Sequence, residues 1–172
     1  MKIIGYIATS ADGYIATHDG SVDFLTPYQH IDCGYDQFIQ NIDVVIMGRK
    51  TYEVICAFGG EWPYPKQQGF IVSTQSDLAL VNPSLQVWNQ GVDALAAHLK
   101  QQHGQAWVVG GTQLQSAFIE KKLLDSLEIY EMPVFLGDGI ALFPASKHPP
   151  YALQAMSAEL IAEKVIKKVY YF

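Results

Sequence analysis

Val45-Ile46-Met47-Gly48-Arg49-Lys50-Thr51-Tyr52-Glu53 is the stretch that decides how this chain is read. Its first half belongs to a short apolar, β-branched run over residues 43–47, which predicts a buried strand. The run stops at Gly48-Arg49-Lys50-Thr51, and residues 52–57 then predict a short helix. A buried strand that breaks at glycine and leads into a helix is the repeating unit of an α/β sheet. The break also suits an anion. Glycine lets backbone approach a phosphate closely, helix N-terminal N–H groups point at it, and a threonine hydroxyl adds a donor.

Two other strand ends are built alike, Ile71-Val72-Ser73-Thr74 and Val109-Gly110-Gly111-Thr112. In open α/β sheets the ligand lies beyond the carboxyl ends of the strands, so three donor-rich ends converge on one expected site. Arg49 singles out the first of them. Of eleven basic residues ten are lysine, and Arg49 is the only arginine. Its planar fork of five donors is the group best matched to phosphate or carboxylate. A single arginine in a lysine-rich chain is ordinarily a surface residue; Gly48 and Thr51 beside it argue for binding.

Outward from this centre, residues 2–9 predict a buried strand that ends in a turn at Ser10-Ala11-Asp12-Gly13. Residues 14–30 hold Gly20, Pro27 and many polar groups, and predict a long loop that closes over the site as a lid. Tyr35, Phe38 and Ile39 suggest a helix over 32–40. Trp62 lies in a proline-flanked loop, 59–68, where it can cover a flat ligand. Strands are expected at 70–73 and 85–88, and apolar residues 92, 95, 96 and 99 mark a helix over 92–102. A strand at 106–109, a helix at 113–122 and a strand over 126–133 follow. After a tight turn at Gly137-Asp138-Gly139, residues 151–172 read as two strands, with 159–163 near their junction. The alternation predicts one α/β domain over 1–172, its sheet mainly parallel with antiparallel strands at the C-terminal edge. The aromatic end Val169-Tyr170-Tyr171-Phe172 needs cover, which suggests a homodimer through the C-terminal strands.

Composition narrows the function. The 172 residues are 49% hydrophobic and 16% charged, ample for a core and too apolar for a disordered chain. No apolar run approaches the roughly 20 residues of a membrane span, and the N-terminus lacks a signal-like apolar region, so a cytoplasmic chain is expected. A net charge of −6 argues against nucleic acid or an anionic membrane as partner. Cys33 and Cys56 form no metal pair, and the five histidines show no ligand spacing, so no metal is expected. The glycine spacing matches neither the dinucleotide fingerprint nor the P-loop, and there is no nucleophile elbow.

Four segments together carry a resemblance: Ala8-Thr9-Ser10-Ala11-Asp12-Gly13-Tyr14-Ile15-Ala16, Val45 through Glu53, Val108-Val109-Gly110-Gly111-Thr112, and Pro133-Val134-Phe135-Leu136-Gly137-Asp138-Gly139. In these the chain resembles the dihydrofolate reductase-like superfamily, and within it the reductase domain of the bifunctional riboflavin-biosynthesis deaminase/reductase. The resemblance implies a three-layer α/β/α fold, NADPH as cofactor and hydride transfer to a pteridine- or pyrimidine-type ring. By that likeness Gly48, Arg49, Lys50 and Thr51 hold the adenosine phosphate side, with Ser73 and Thr74 beside them. Gly110, Gly111 and Thr112 cradle the pyrophosphate, while Ala8 and Ile15 border the nicotinamide. Two departures stand out. The pterin-binding carboxylate of dihydrofolate reductases has no firmly alignable counterpart here, and the deaminase half with its zinc signature is absent from the sequence.

The expected activity is therefore an NADPH-dependent reduction of a small heterocycle. The substrate is either 5-amino-6-(5-phosphoribosylamino)uracil, as in riboflavin biosynthesis, or a dihydrofolate-like ring. The proton comes from Asp36, Asp32 or a bound water, and the residues do not choose among them. Asp12 either reaches the substrate or serves an Asp-Gly turn. The alternative is an NADP(H)-binding protein with little or no catalysis, a sensor or a degenerate paralogue.

Overall fold

Ten strands and four α-helices follow one another in the computed structural model, which describes residues 1–145, 150 and 152–172. In chain order they are β1 (Lys2–Ser10), β2 (Tyr14–Ala16), α1 (Tyr35–Gln40), β3 (Val44–Gly48), α2 (Arg49–Ala57), β4 (Gln68–Val72), β5 (Leu85–Trp88), α3 (Gly91–Lys100), β6 (Gln105–Gly110), α4 (Thr112–Glu120), β7 (Ser126–Met132), β8 (Ile140–Ala141), β9 (Ala155–Ile161) and β10 (Val165–Tyr171). Eight strands form one sheet in the order β5-β4-β3-β6-β1-β7-β10-β9, and β2 pairs with β8 alone. The first six strands of the sheet are parallel; β10 is antiparallel to both β7 and β9.

The continuous apolar run of β3 has a simple cause. Val44 and Ile46 join the core beneath α3 and α4, with Leu95, Leu99, Leu114 and Phe118. Val45 and Met47 join the opposite core, with Tyr52 of α2 and Phe38 of α1. A strand covered on both faces has no position for a polar side chain. The helices thus lie on both sides of the sheet, giving the three-layer, mainly parallel α/β fold expected.

The connections matter for the site. From β3 the chain crosses through α2 to β4, away from β1, while from β6 it crosses through α4 to β7, beyond β1. Right-handed crossovers in opposite directions put α2 and α4 on opposite faces. Adjacent β3 and β6 therefore form the switch point where an open sheet leaves a crevice for ligand.

Several expectations change in detail. Residues 14–30 are not a bare loop: they contain β2 and a 3-10 helix, Asp23–Tyr28, whose Phe24, Leu25 and Tyr28 pack against Tyr130, Met132 and Val165. The first helix starts only at Tyr35, because Gly34 takes a left-handed φ of 76° and its N–H donates to Asp32 Oδ1 at 2.7 Å, closing a turn first. The second starts earlier than expected, at Arg49, since Gly48 is extended and serves as its cap position. The hairpin between β9 and β10 turns at Ala162 and Glu163, with φ of 48° and 56°. Tyr151, where the tail strands were expected to begin, and His148 lie outside the described residues. At the chain end, Tyr170 and Phe172 already pack on the main core, so cover for the aromatic tail is largely internal.

Candidate functional site

Two helices begin side by side where β3 and β6 end. Gly48 precedes α2 and Gly111 precedes α4, both in extended backbone, and neither helix start is capped by a side chain. The first-turn N–H groups of each helix are then without the oxygen that Ser, Thr, Asp or Asn would supply, and an anion can take that place. The corner is tight at Gly111 and leaves ordinary van der Waals room at Gly48. A Cβ on Gly48 would lie 3.8 Å from Gly111 N, and one on Gly111 would lie 3.2 Å from Thr51 Oγ1. Gly110 has φ +139°, a conformation that side chains rarely adopt, and the Gly110–Gly111 peptide is cis. The structure so brings together Gly48, Thr51, Gly110 and Gly111, with Arg49, Lys50 and Thr112 on the first turns of the two helices.

Ser73 and Thr74 follow β4, whose Val72 pairs with Gly48. The Ser73 hydroxyl accepts the Gln75 N–H at 3.0 Å, so part of its capacity serves a local turn. Arg49 is half-buried, and its guanidinium donates to Glu53 Oε1 at 2.6 Å, one turn along α2. Glu53 was missed in the sequence, although its four-residue spacing from Arg49 is the ordinary signature of such a pair.

Ala8 and Ile15 are not brought into one cluster. Ala8 packs with Tyr130 and Met132, whereas Ile15 packs on the main core beneath α3 and α4. Asp12 accepts hydrogen bonds from Ser10 Oγ at 2.6 Å, Gly137 N at 2.7 Å and Leu136 N at 3.1 Å. The Ser10 hydroxyl above all, then the two amides, hold its carboxyl below the usual carboxylate range. Asp12 is thus ionised at neutral pH and clamps the loop after β7. Asp36 is exposed on the first turn of α1, and Asp32 is exposed in the turn before it.

The sequence also gave no sign of an aromatic wall on the α1–α2 face. Tyr6 stacks on Phe38 with ring centres 4.2 Å apart, and Trp107 meets Tyr35, Phe38 and Tyr64 edge-on. Tyr35 is 40% exposed and forms the solvent side of this wall. Trp62, expected over a ligand, packs on Tyr52 and Tyr64. Behind the wall Tyr130 donates to Glu128, which pairs with Lys167 at 3.1 Å. Burial pushes the phenols of Tyr6, Tyr64 and Tyr130 well above their ordinary value, so they are neutral donors.

A cavity of about 510 Å³ opens at the other end of the sheet, beside Asp43, Lys66 and His103. It lies at the amino ends of the strands, away from the switch point, whereas ligands of open α/β sheets bind beyond the carboxyl ends, where the glycine corner lies. Among the described residues no group of three or more His, Cys, Asp or Glu is placed to hold a metal. No helix there is long and apolar enough to cross a membrane.

The sequence model of the RibD C-terminal domain matches residues 1–167. The chain belongs to the RibD C-terminal domain family. The protein YwjB of Bacillus subtilis (strain 168), itself uncharacterised, is 37% identical over 144 residues, covering 83% of this chain and 82% of its own. A putative riboflavin biosynthesis protein from Shewanella sp. PV-4 has a solved structure similar to this one, with TM-score 0.83, 25% identity, and 99% and 98% of the two chains covered. The dihydrofolate reductase of Enterococcus faecalis, solved with NADP(H), shares the fold at TM-score 0.70 and 16% identity, over 99% of this chain and 95% of that one.

Proposed function

We propose that this chain is a single reductase domain, residues 1–172, that uses NADPH to reduce a small pteridine- or pyrimidine-type heterocycle. The substrate class is that of the 5-amino-6-(5-phosphoribosylamino)uracil reductase step of riboflavin biosynthesis or of a dihydrofolate reductase-like reaction. One observation carries the reading: two helix starts without side-chain caps meet across Gly48 and Gly111, with Thr51 against the glycine corner and Arg49 beside it. A pyrophosphate needs close backbone, amide donors and hydroxyls, and these residues supply all three. Kinship with the RibD C-terminal domain and the NADP(H) in the E. faecalis enzyme support the choice.

In this reading Gly110, Gly111 and Thr112 hold the pyrophosphate, and Gly48, Lys50, Thr51, Ser73 and Thr74 the adenosine side. Arg49 takes the 2′-phosphate, Ala8 and Ile15 border the nicotinamide, and residues 14–30 close over it. When bound, the nicotinamide supplies the hydride. The chain's part is to orient the ring, exclude water and deliver a proton. Asp36, Asp32 or a bound water gives that proton, and Asp12 positions the loop after β7. The protein acts in the cytoplasm, without nucleic acid, membrane or metal, as a homodimer through its C-terminal strands.

The test is titration of NADPH and NADH against wild type and Arg49→Ala. Hydrogen bonds to a charged group contribute about 1.5–3 kcal/mol, so NADPH should weaken roughly ten- to a hundredfold. NADH should change little. Equal weakening of both, or none, overturns the assignment of Arg49. A second reading, an NADP(H)-binding protein with little turnover, is favoured by Asp12, whose carboxylate is already committed to three donors. Tight NADPH binding with no oxidation across pterins, folates and the pyrimidine intermediate would establish it.

A further inference from the structure

Strand β9 ends the sheet, and residues 155–160 are exposed on both of its faces. Among the described residues nothing pairs with its outer edge. One face carries Met156, Ala158 and Leu160, level with Tyr170, Lys168 and Ile166 of β10. Met156 is 64% exposed, Leu160 63% and Ile166 36%. The other face carries Ser157 and Glu159, with Glu159 near Lys167 at 3.8 Å. Free edges are ordinarily blunted by lysine, proline, a bulge or brevity. The one charge on this strand, Glu159, lies on the face away from Met156 and Leu160 and near Lys167; the strand runs seven residues, contains neither Lys nor Pro, and pairs with β10 at every position without a shift in register.

We propose that β9 is the interface for a second copy of this chain, the two strands pairing antiparallel about a two-fold axis at Ala158. The sequence of the strand selects that centre. Met156 then faces the partner's Leu160, Ala155 faces the partner's Ile161, and Ser157 faces the partner's Glu159. Every apolar side chain meets an apolar one, and each carboxylate meets a hydroxyl. Centring on Glu159 instead would set two carboxylates directly opposite, which is destabilising. Centring on Ser157 would place Leu160 against the polar Gln154. The chosen register also joins Met156, Ala158, Leu160 and Ile166 of both copies into one apolar strip, the kind of surface that marks an interface. It gives the homodimer of the proposed function a defined geometry. It involves neither cofactor nor turnover, so it can fail while the reductase reading stands, and the reverse.

The experiment combines mass with cross-linking. In a chain carrying Cys33→Ser and Cys56→Ser, Ala158→Cys puts two thiols directly opposite across the axis. Their Cβ atoms would be about 4.5–5.5 Å apart, close enough for a disulfide on mild oxidation. Ala155→Cys, six positions out of register with its own copy, would be separated by about 20 Å. Sedimentation of the wild type should show a dimer, Ala158→Cys should cross-link and Ala155→Cys should not. Leu160→Lys should give a folded monomer by circular dichroism. A monomeric wild type, a dimer that survives in Leu160→Lys, or equal cross-linking at both cysteine positions overturns the proposal. If Leu160→Lys does not fold, the cysteine pair decides alone.

Discussion

The Thr51 hydroxyl lies over the corner made by Gly111, 3.2 Å from where a side chain on that glycine would begin. Gly111 has φ −77°, so its backbone accepts alanine and the cost of Gly111→Ala falls on this contact. We expect Gly111→Ala to destabilise the protein, and Thr51→Ala in the same chain to recover part of the loss. Denaturant unfolding of the four members of the cycle should give a coupling of about 0.5–3 kcal/mol. Additive effects would show that the two groups do not press on each other.

Glu53 competes for the guanidinium that the cofactor is proposed to use. Glu53→Gln removes an exposed i, i+4 ion pair, for which about 0.3–0.5 kcal/mol of stability is usual. Freed of its carboxylate partner, Arg49 should bind the 2′-phosphate better. NADPH affinity should rise severalfold while NADH stays constant. A fall in NADPH affinity would mean that Glu53 orients Arg49 productively.

Asp12 ties the turn after β1 to the loop after β7. Because its folded-state carboxyl is held below the ordinary value, its contribution is present above the unfolded pKa of about 3.9 and is lost as pH falls through the lowered value. Asp12→Asn should flatten the acid side of the stability profile and speed amide exchange at Leu136 and Gly137. An unchanged acid limb would remove Asp12 from the clamp.

At the alkaline end the buried phenols act in the opposite sense. Tyr6, Tyr64 and Tyr130 keep their protons in the fold beyond the unfolded value of about 10. Stability should therefore decline as pH rises past about 10, where the unfolded chain releases protons that the fold retains. Phenolate absorbance should show these three of the ten tyrosines titrating only with loss of structure. Free, reversible titration of all ten in the folded state would contradict the burial.

Closure of residues 14–30 should be confined to part of that segment. Tyr28 donates to Pro133 O at 3.2 Å, and Phe24 and Leu25 are packed, so the 3-10 helix is already anchored. Added NADPH should slow amide exchange at residues 17–22 more than at 23–28. Slowing elsewhere alone would end the lid assignment.

The sheet was legible because strands buried on both faces leave uninterrupted apolar runs, as Val44 to Met47 do. The glycine corner was legible because each of its pieces is contiguous in sequence. The start of α2 was not, since Gly-Arg-Lys-Thr has turn composition while Gly48 simply stays extended before the helix. The aromatic wall had no signal at all: Tyr6, Tyr35, Tyr64 and Trp107 sit on separate segments and meet only through tertiary packing. Asp12 carried an ambiguous signal, because its amide donors come from a loop more than 120 residues away.

The position of β6 has a consequence for synthesis. It lies between β1 and β3, yet it is the fifth of the six parallel strands to leave the ribosome. Until residues 105–110 emerge, β1 has neither of its sheet neighbours and β3 has one bare edge. Pairing across that separation is slow, because long loops must close before it is rewarded. The nascent chain therefore carries exposed strand edges until its fifth parallel strand emerges, and the two halves of the glycine corner meet only when the central strand slots in.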